Sequence, residues 1–189
     1  MKIEEIRRSF TSIFPTKFIK TAIWYGNKKG KDVDVFIILK NKISYNNFQH
    51  QEFDISYINE IKVIEMLSNF DPLITEPILT GQEIYGEYLP ALKKKLLSTR
   101  TNNNTVQYLM NRAEEFYNWS QKHFGKNDHK KGFITLTFVI SFINFANYYR
   151  HHGEVITFKK LVEYSPDDLL FKTMELSKNF RRIKMHGKH

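Results

Sequence analysis

The sequence predicts an α+β chain: a small mixed-sheet domain over residues 1–90, followed by an all-helical bundle over residues 91–189. Three observations carry that expectation. Short β-branched and aromatic runs, VDVFIIL foremost, crowd the first half. Apolar residues at helical spacing fill the second. Charge divides at the same place, with 11 Lys+Arg against 12 Asp+Glu in residues 1–90 and 18 against 8 in residues 91–189.

Taken in order, Ile3, Ile6, Phe10 and Ile13 recur at helical spacing until Pro15 closes the helix. Phe18 to Tyr25 reads as a strand ending at Gly26, and a polar turn, Asn27 to Lys31, leads to a second strand, Val33 to Leu39. The near-continuous apolar run of that second strand predicts burial on both faces. Glu52 to Tyr57 reads as a third strand and Ile58 to Leu67 as an amphipathic helix. Asp71, Pro72, Pro77 and Gly81 then suggest a loop-rich passage. Beyond Pro90, helices are expected over Asn104–Phe124, over Phe133–Arg150, and over Leu169–Phe180 behind the start signal Ser165, Pro166, Asp167, Asp168.

Composition excludes several classes. With 189 residues, 41% of them hydrophobic, the chain can bury a core and is not of the disordered type. Without cysteine it has no disulfide framework, thiolate zinc site or cysteine nucleophile. MKIEEIRRSF lacks the apolar segment of a secretory signal. Polar residues interrupt the longest apolar stretch, Phe133–Tyr149, so a soluble cytoplasmic protein with no membrane partner is expected. The basic second half favours polyanions or acidic surfaces, although a lysine-rich composition also serves solubility.

The passage from Tyr25 to Leu39, YGNKKGKDVDVFIIL, carries the chemistry. Asp32 and Asp34, two positions apart in a strand, project from one face at about 7 Å spacing. Such a pair repels itself unless a cation lies between, and Mg²⁺ prefers hard oxygen ligands. Asp54 joins them if the third strand lies beside the second. D-V-D also fits a strand that begins at a polar turn with its acids solvated.

This arrangement resembles the nucleotidyltransferase superfamily related to DNA polymerase β, over roughly residues 18–57. That family joins a glycine turn to an Asp-x-Asp strand and a third acid on a later strand. The resemblance implies nucleotidyl transfer with two Mg²⁺ (or Mn²⁺) ions and an NTP donor. Asp32, Asp34 and Asp54 would be the catalytic and metal-holding acids. Gly26 and Asn27 would approach the phosphates, and Lys28, Lys29 and Lys31 would add charge toward the pyrophosphate. Asn27 stands where the family has serine, and four residues separate it from Asp32, fewer than usual. The acceptor implied is RNA, a protein or a small molecule. The alternative is a catalytically impaired module of that type, binding RNA or a protein partner in a toxin–antitoxin or defence pair.

Smaller signals have simpler roles. His151 and His152 suit a cationic helix end. Arg181 to His186 matches the R-x4-H spacing of HEPN ribonucleases, but chance explains it in a basic tail. Three basic clusters stand out: Lys93, Lys94 and Lys95 with Arg100; Lys126 with Lys130 and Lys131; and Arg181 and Arg182 with Lys184. Phe116, Tyr117 and Trp119 are expected in the core rather than on a nucleic-acid surface. Glu83 and Glu87 are further acids with no assigned part.

Overall fold

The computed structural model describes residues 2–26, 33–40 and 53–164. Two compact units divide it, Met1–Thr99 and Arg100–His189. The first holds 14 Lys+Arg and 12 Asp+Glu, the second 15 and 8, so the cationic excess is +2 and +7.

The first unit opens with α1 (Ile3–Ile13), where the Lys2 N–H donates to Glu5 at 2.8 Å. After one 3-10 turn come the strands β1 (Ile19–Tyr25), β2 (Val33–Leu39) and β3 (Phe53–Asn59). Helices α2 (Glu60–Ser68) and α3 (Pro72–Thr80) follow, then a short strand β4 (Gln82–Tyr85) and helix α4 (Leu89–Ser98). The sheet is mixed, in the order β3-β2-β1-β4. β1 runs antiparallel to β2 and β4, whereas β2 and β3 are parallel.

Alternation assigns the two faces. Val33, Val35, Ile37 and Leu39 of β2 join Ile6, Phe10 and Phe14 in one buried cluster with Phe53, so this face lies under α1. Phe14 and Phe10 meet Phe53 at 5.7 and 6.1 Å between ring centroids. Fully burying a Phe or Ile side chain of this kind stabilises the fold by roughly 1.5–3 kcal/mol. On the other face α2 packs on β3 and α3 on β1. Phe36 and Ile38, buried on this side, explain why β2 shows no polar stripe beyond its first residues.

The passage expected to be loop-rich is a helix and a strand instead. Asp71 caps α3 by accepting from the Leu73 N–H at 3.0 Å, and Pro72 occupies the first turn, where a missing N–H is harmless. Pro77 does remove one helical donor, but Ile74 and Ile78 beside it are buried and hold the turn together.

Glu83 of β4 has a structural task. Its carboxylate accepts from the N–H groups of Tyr88 and Leu89 at 2.8 and 3.0 Å, at the start of α4, and from the Thr21 hydroxyl. Glu83→Ala would leave those donors unmatched, so a loss of about 2 kcal/mol in denaturant unfolding is expected. Lys20 likewise ties elements together. Its ammonium donates to Glu60, which raises its pKa, and lies 4.3 Å from the Tyr88 ring centre. Burial in turn pushes the Tyr88 phenol upward.

The second unit contains α5 (Asn103–Gly125), α6 (His129–His152) and α7 (Phe158–Tyr164). α5 and α6 form a hairpin, joined through Lys126, Asn127 and Asp128. Phe116 meets Phe138 and Phe142 at 5.1 and 5.3 Å, and the Ser120 hydroxyl donates to the Gly132 carbonyl at 3.0 Å. Glycine at 132 is required for this approach, because a Cβ there would sit 2.7 Å from the Phe124 ring. At 24 residues, α6 is longer than its apolar run suggests, and it is the one described helix long and apolar enough to cross a membrane by length and composition.

One sequence-based expectation changes here. Tyr117 and Trp119 are about half exposed, and only Phe116 of that trio is core. Arg150, His151 and His152 form the last turn of α6, the cationic helix end expected, and Gly153 in the left-handed region closes it. His152 also stacks on Tyr148 at 4.4 Å and shares a 2.7 Å hydrogen bond with the Tyr164 hydroxyl, fastening α7 to α6. The expected helix Leu169–Phe180, its start at Ser165–Asp168 and the tail with Arg181, Arg182, Lys184, His186 and His189 lie outside the described residues.

Asp128 begins α6 by accepting from the Lys131 N–H at 3.2 Å and pairing with its ammonium at 3.1 Å. The backbone hydrogen bond first, and the Lys131 side chain second, hold its carboxyl below the usual range. A lowered folded-state pKa means the cap stabilises above the unfolded carboxylate pKa and fades as pH falls through the folded value. Asp128→Asn should therefore differ from the parent chain in thermal unfolding near neutrality, and that difference should shrink in acid.

Candidate active site

The site begins with register. β2 and β3 run parallel with Asp34 directly opposite Asp54, and the same ladder continues through Val35–Ile55 to Leu39–Asn59. Phe53 joins the buried cluster under α1 and Ile55 packs against it, so Asp54 points from the opposite face. Val33 and Val35 orient Asp34 the same way. The two carboxylates thus share one face at the opening ends of neighbouring strands, about 5 Å apart in backbone terms. Asp34 is half-buried and Asp54 exposed.

Gly26 completes the arrangement from β1. Tyr25 pairs with Asp34, and Gly26 follows at φ +83°, a region disfavoured for residues with a Cβ. A Cβ built there would lie 2.4 Å from Asp34 Oδ2. Glycine is therefore demanded twice, by backbone conformation and by the carboxylate against it.

Asp34, Asp54 and Gly26 are brought together as the sequence suggests. Asn27, Lys28, Lys29, Lys31 and Asp32 lie outside the described residues. Among the described residues, no three His, Asp or Glu side chains gather as a metal site. Two hard carboxylates on adjacent strands nevertheless suit a divalent cation better than a soft one, and the donor chemistry fits Mg²⁺ or Mn²⁺.

No family model matches the chain, and no curated protein matches it. A solved structure does. It is a protein described as nucleotidyltransferase-like, from Exiguobacterium sibiricum 255-15, aligned over 100% of this chain and 69% of its own, with 11% identity and a TM-score of 0.45. A likeness at that level assigns neither family nor activity, so the α+β fold rests on the sheet and helices themselves.

A groove of about 320 Å³ lies elsewhere, lined by Arg7, Thr11, Tyr85 and Glu87 among others. It sits beside β4, at the opposite edge of the sheet from Asp54. Arg7 already donates there to the carbonyls of Ile84 and Glu83, at 3.3 and 3.4 Å. Glu87 therefore belongs to this groove and not to the acids. The Lys20–Glu60–Tyr88 cluster, which sequence reasoning missed, joins the start of β1 to the start of α2, away from Gly26 at the other end of β1. Nothing in the spacing of residues 20, 60 and 88 announces it.

Proposed function

We propose that the chain is a metal-dependent nucleotidyltransferase, moving a nucleoside monophosphate from an NTP to a hydroxyl or phosphate of an acceptor and releasing pyrophosphate. The observation that supports this reading is the pairing of Asp34 with Asp54 on one sheet face, against a glycine that cannot be replaced without touching Asp34. In this reading Asp32 and Asp34 would hold two Mg²⁺ ions, and Asp54 would help hold the second and help take the proton of the acceptor hydroxyl. When bound, such ions neutralise the triphosphate and stabilise the attacking and leaving oxygens. The chain's own contribution is position. Parallel strands keep the acids together, and Gly26 leaves the backbone open to a phosphate. Asn27, Lys28, Lys29 and Lys31 follow it in the sequence and would steady the pyrophosphate.

Thermal unfolding with ATP, CTP, GTP and UTP, each with and without Mg²⁺, tests the reading. One nucleotide at a hundredfold excess over its Kd should raise the midpoint by about 5–10 °C, in the presence of metal only. No response to any nucleotide would sink it and leave the non-catalytic binding module, which the short sequence spacing from Asn27 to Asp32 favours.

A further inference from the structure

We propose that the tip of the α5–α6 hairpin docks single-stranded nucleic acid, its lysines taking phosphates while His129 and Phe133 offer ring faces to unstacked bases. The turn Lys126–Asp128 brings the last turn of α5 and the first turn of α6 to one end of the hairpin. Lys122, Lys126, Lys130 and Lys131 all fall there, with His123 and His129 between them. Across residues 116–153 the only carboxylate is Asp128, and it is engaged by the Lys131 N–H and ammonium.

Placement of these charges argues for a partner. Lys122 and His123 suit the negative end of α5. The first turn of α6 has no acid and carries His129, Lys130 and Lys131 at the positive end of a 24-residue helix. Cations there oppose the helix dipole, so the local field is strongly positive and a polyanion would relieve it.

Aromatic neighbours favour nucleic acid over an acidic protein. Phe133 is 45% exposed and meets Phe124 edge-on at 5.2 Å, one turn along from His129. The exposed His129 ring lies 6.0 Å from the same Phe124. Flat rings propped beside lysines serve stacking as well as charge, and stacking needs bases that are not already paired. The Lys93–Lys95 cluster makes a poorer candidate, because α4 itself carries no aromatic residue to offer a base.

The proposal stands apart from the acid site and needs neither metal nor nucleotide. Fluorescence anisotropy of the full chain with labelled 20-mers of uridine or thymidine, over a range of salt, tests it. Lys126→Gln/Lys130→Gln should weaken binding about tenfold and lower the salt slope by about 1.4, the contribution of two phosphate contacts. Phe133→Ala should weaken binding about tenfold with the slope unchanged, and Phe133→Tyr should restore it. Asp34→Ala should bind as the parent chain does, which separates this result from any failure of the catalytic reading. Absence of binding, or an unchanged double variant, would overturn the proposal. So would a preference for poly-glutamate or anionic phosphatidylserine vesicles together with indifference to Phe133→Ala, which would assign the tip to acidic proteins or to membranes.

Discussion

Asp34→Ala is expected to lower metal-dependent label transfer from an NTP by about 10³-fold or more, while the chain stays folded. The loss follows from position. Asp34 faces Asp54 across two parallel strands and stands against Gly26, so no other described carboxylate reaches the same place. Its flanking residues, Val33 and Val35, carry the packing on the α1 side, and Asp34 itself is only half-buried. Thermal unfolding should therefore move by no more than a few degrees. Asp54→Ala should behave alike, with even less effect on stability because Asp54 is exposed. Activity that survives in either variant would refute the assignment.

Gly26→Ala is expected to damage both stability and transfer. The φ of +83° costs a residue with a Cβ about 1–2 kcal/mol. The new methyl carbon must also find room where Asp34 Oδ2 now lies 2.4 Å away. Either Asp34 rotates off its partner or β1 shifts, and each outcome spoils the acid pair. A midpoint lowered by about 3–8 °C and a transfer rate down about a hundredfold should appear together. Gly81→Ala supplies a contrast. It too meets close neighbours, Ile23 and the Pro77 carbonyl, but it lies away from the acids and should lower stability without a comparable loss per folded molecule.

Much of the sheet unit could be read beforehand because its signals are local. VDVFIIL is a strand wherever it falls, and Ile3, Ile6 and Phe10 declare one helical face. The pairing of Asp34 with Asp54 was legible only as a condition, since register between strands some twenty residues apart is decided by packing. Phe53 and Ile55 against α1 meet that condition. Where reading failed, tertiary contacts overrode local chemistry. Pro77 looks like a breaker but survives inside α3, because its neighbours are buried. Tyr117 and Trp119 have the spacing of core residues, yet the buried stripe of α5 runs through Val106, Leu109, Ala113, Phe116 and Ser120 and leaves both about half exposed. α7 was missed because seven residues are too few for periodicity to register, and its attachment through His152 and Tyr164 leaves no mark in the sequence.

The contact of Phe10 and Phe14 with Phe53 has a bearing on how the chain is made. Synthesis runs from the first helix onward, so those two rings leave the ribosome some forty residues before their partner does. Until Phe53 arrives, the apolar side of α1 has only β1 and β2 to rest on and lacks the β3 edge of its cluster. Once it does, the adjoining carboxylate at 54 is oriented in the same event. Assembly of the acid pair is thus scheduled by a hydrophobic meeting one residue away. A nascent chain stalled before β3 would hold Gly26 and Asp34 without the acid that β3 supplies.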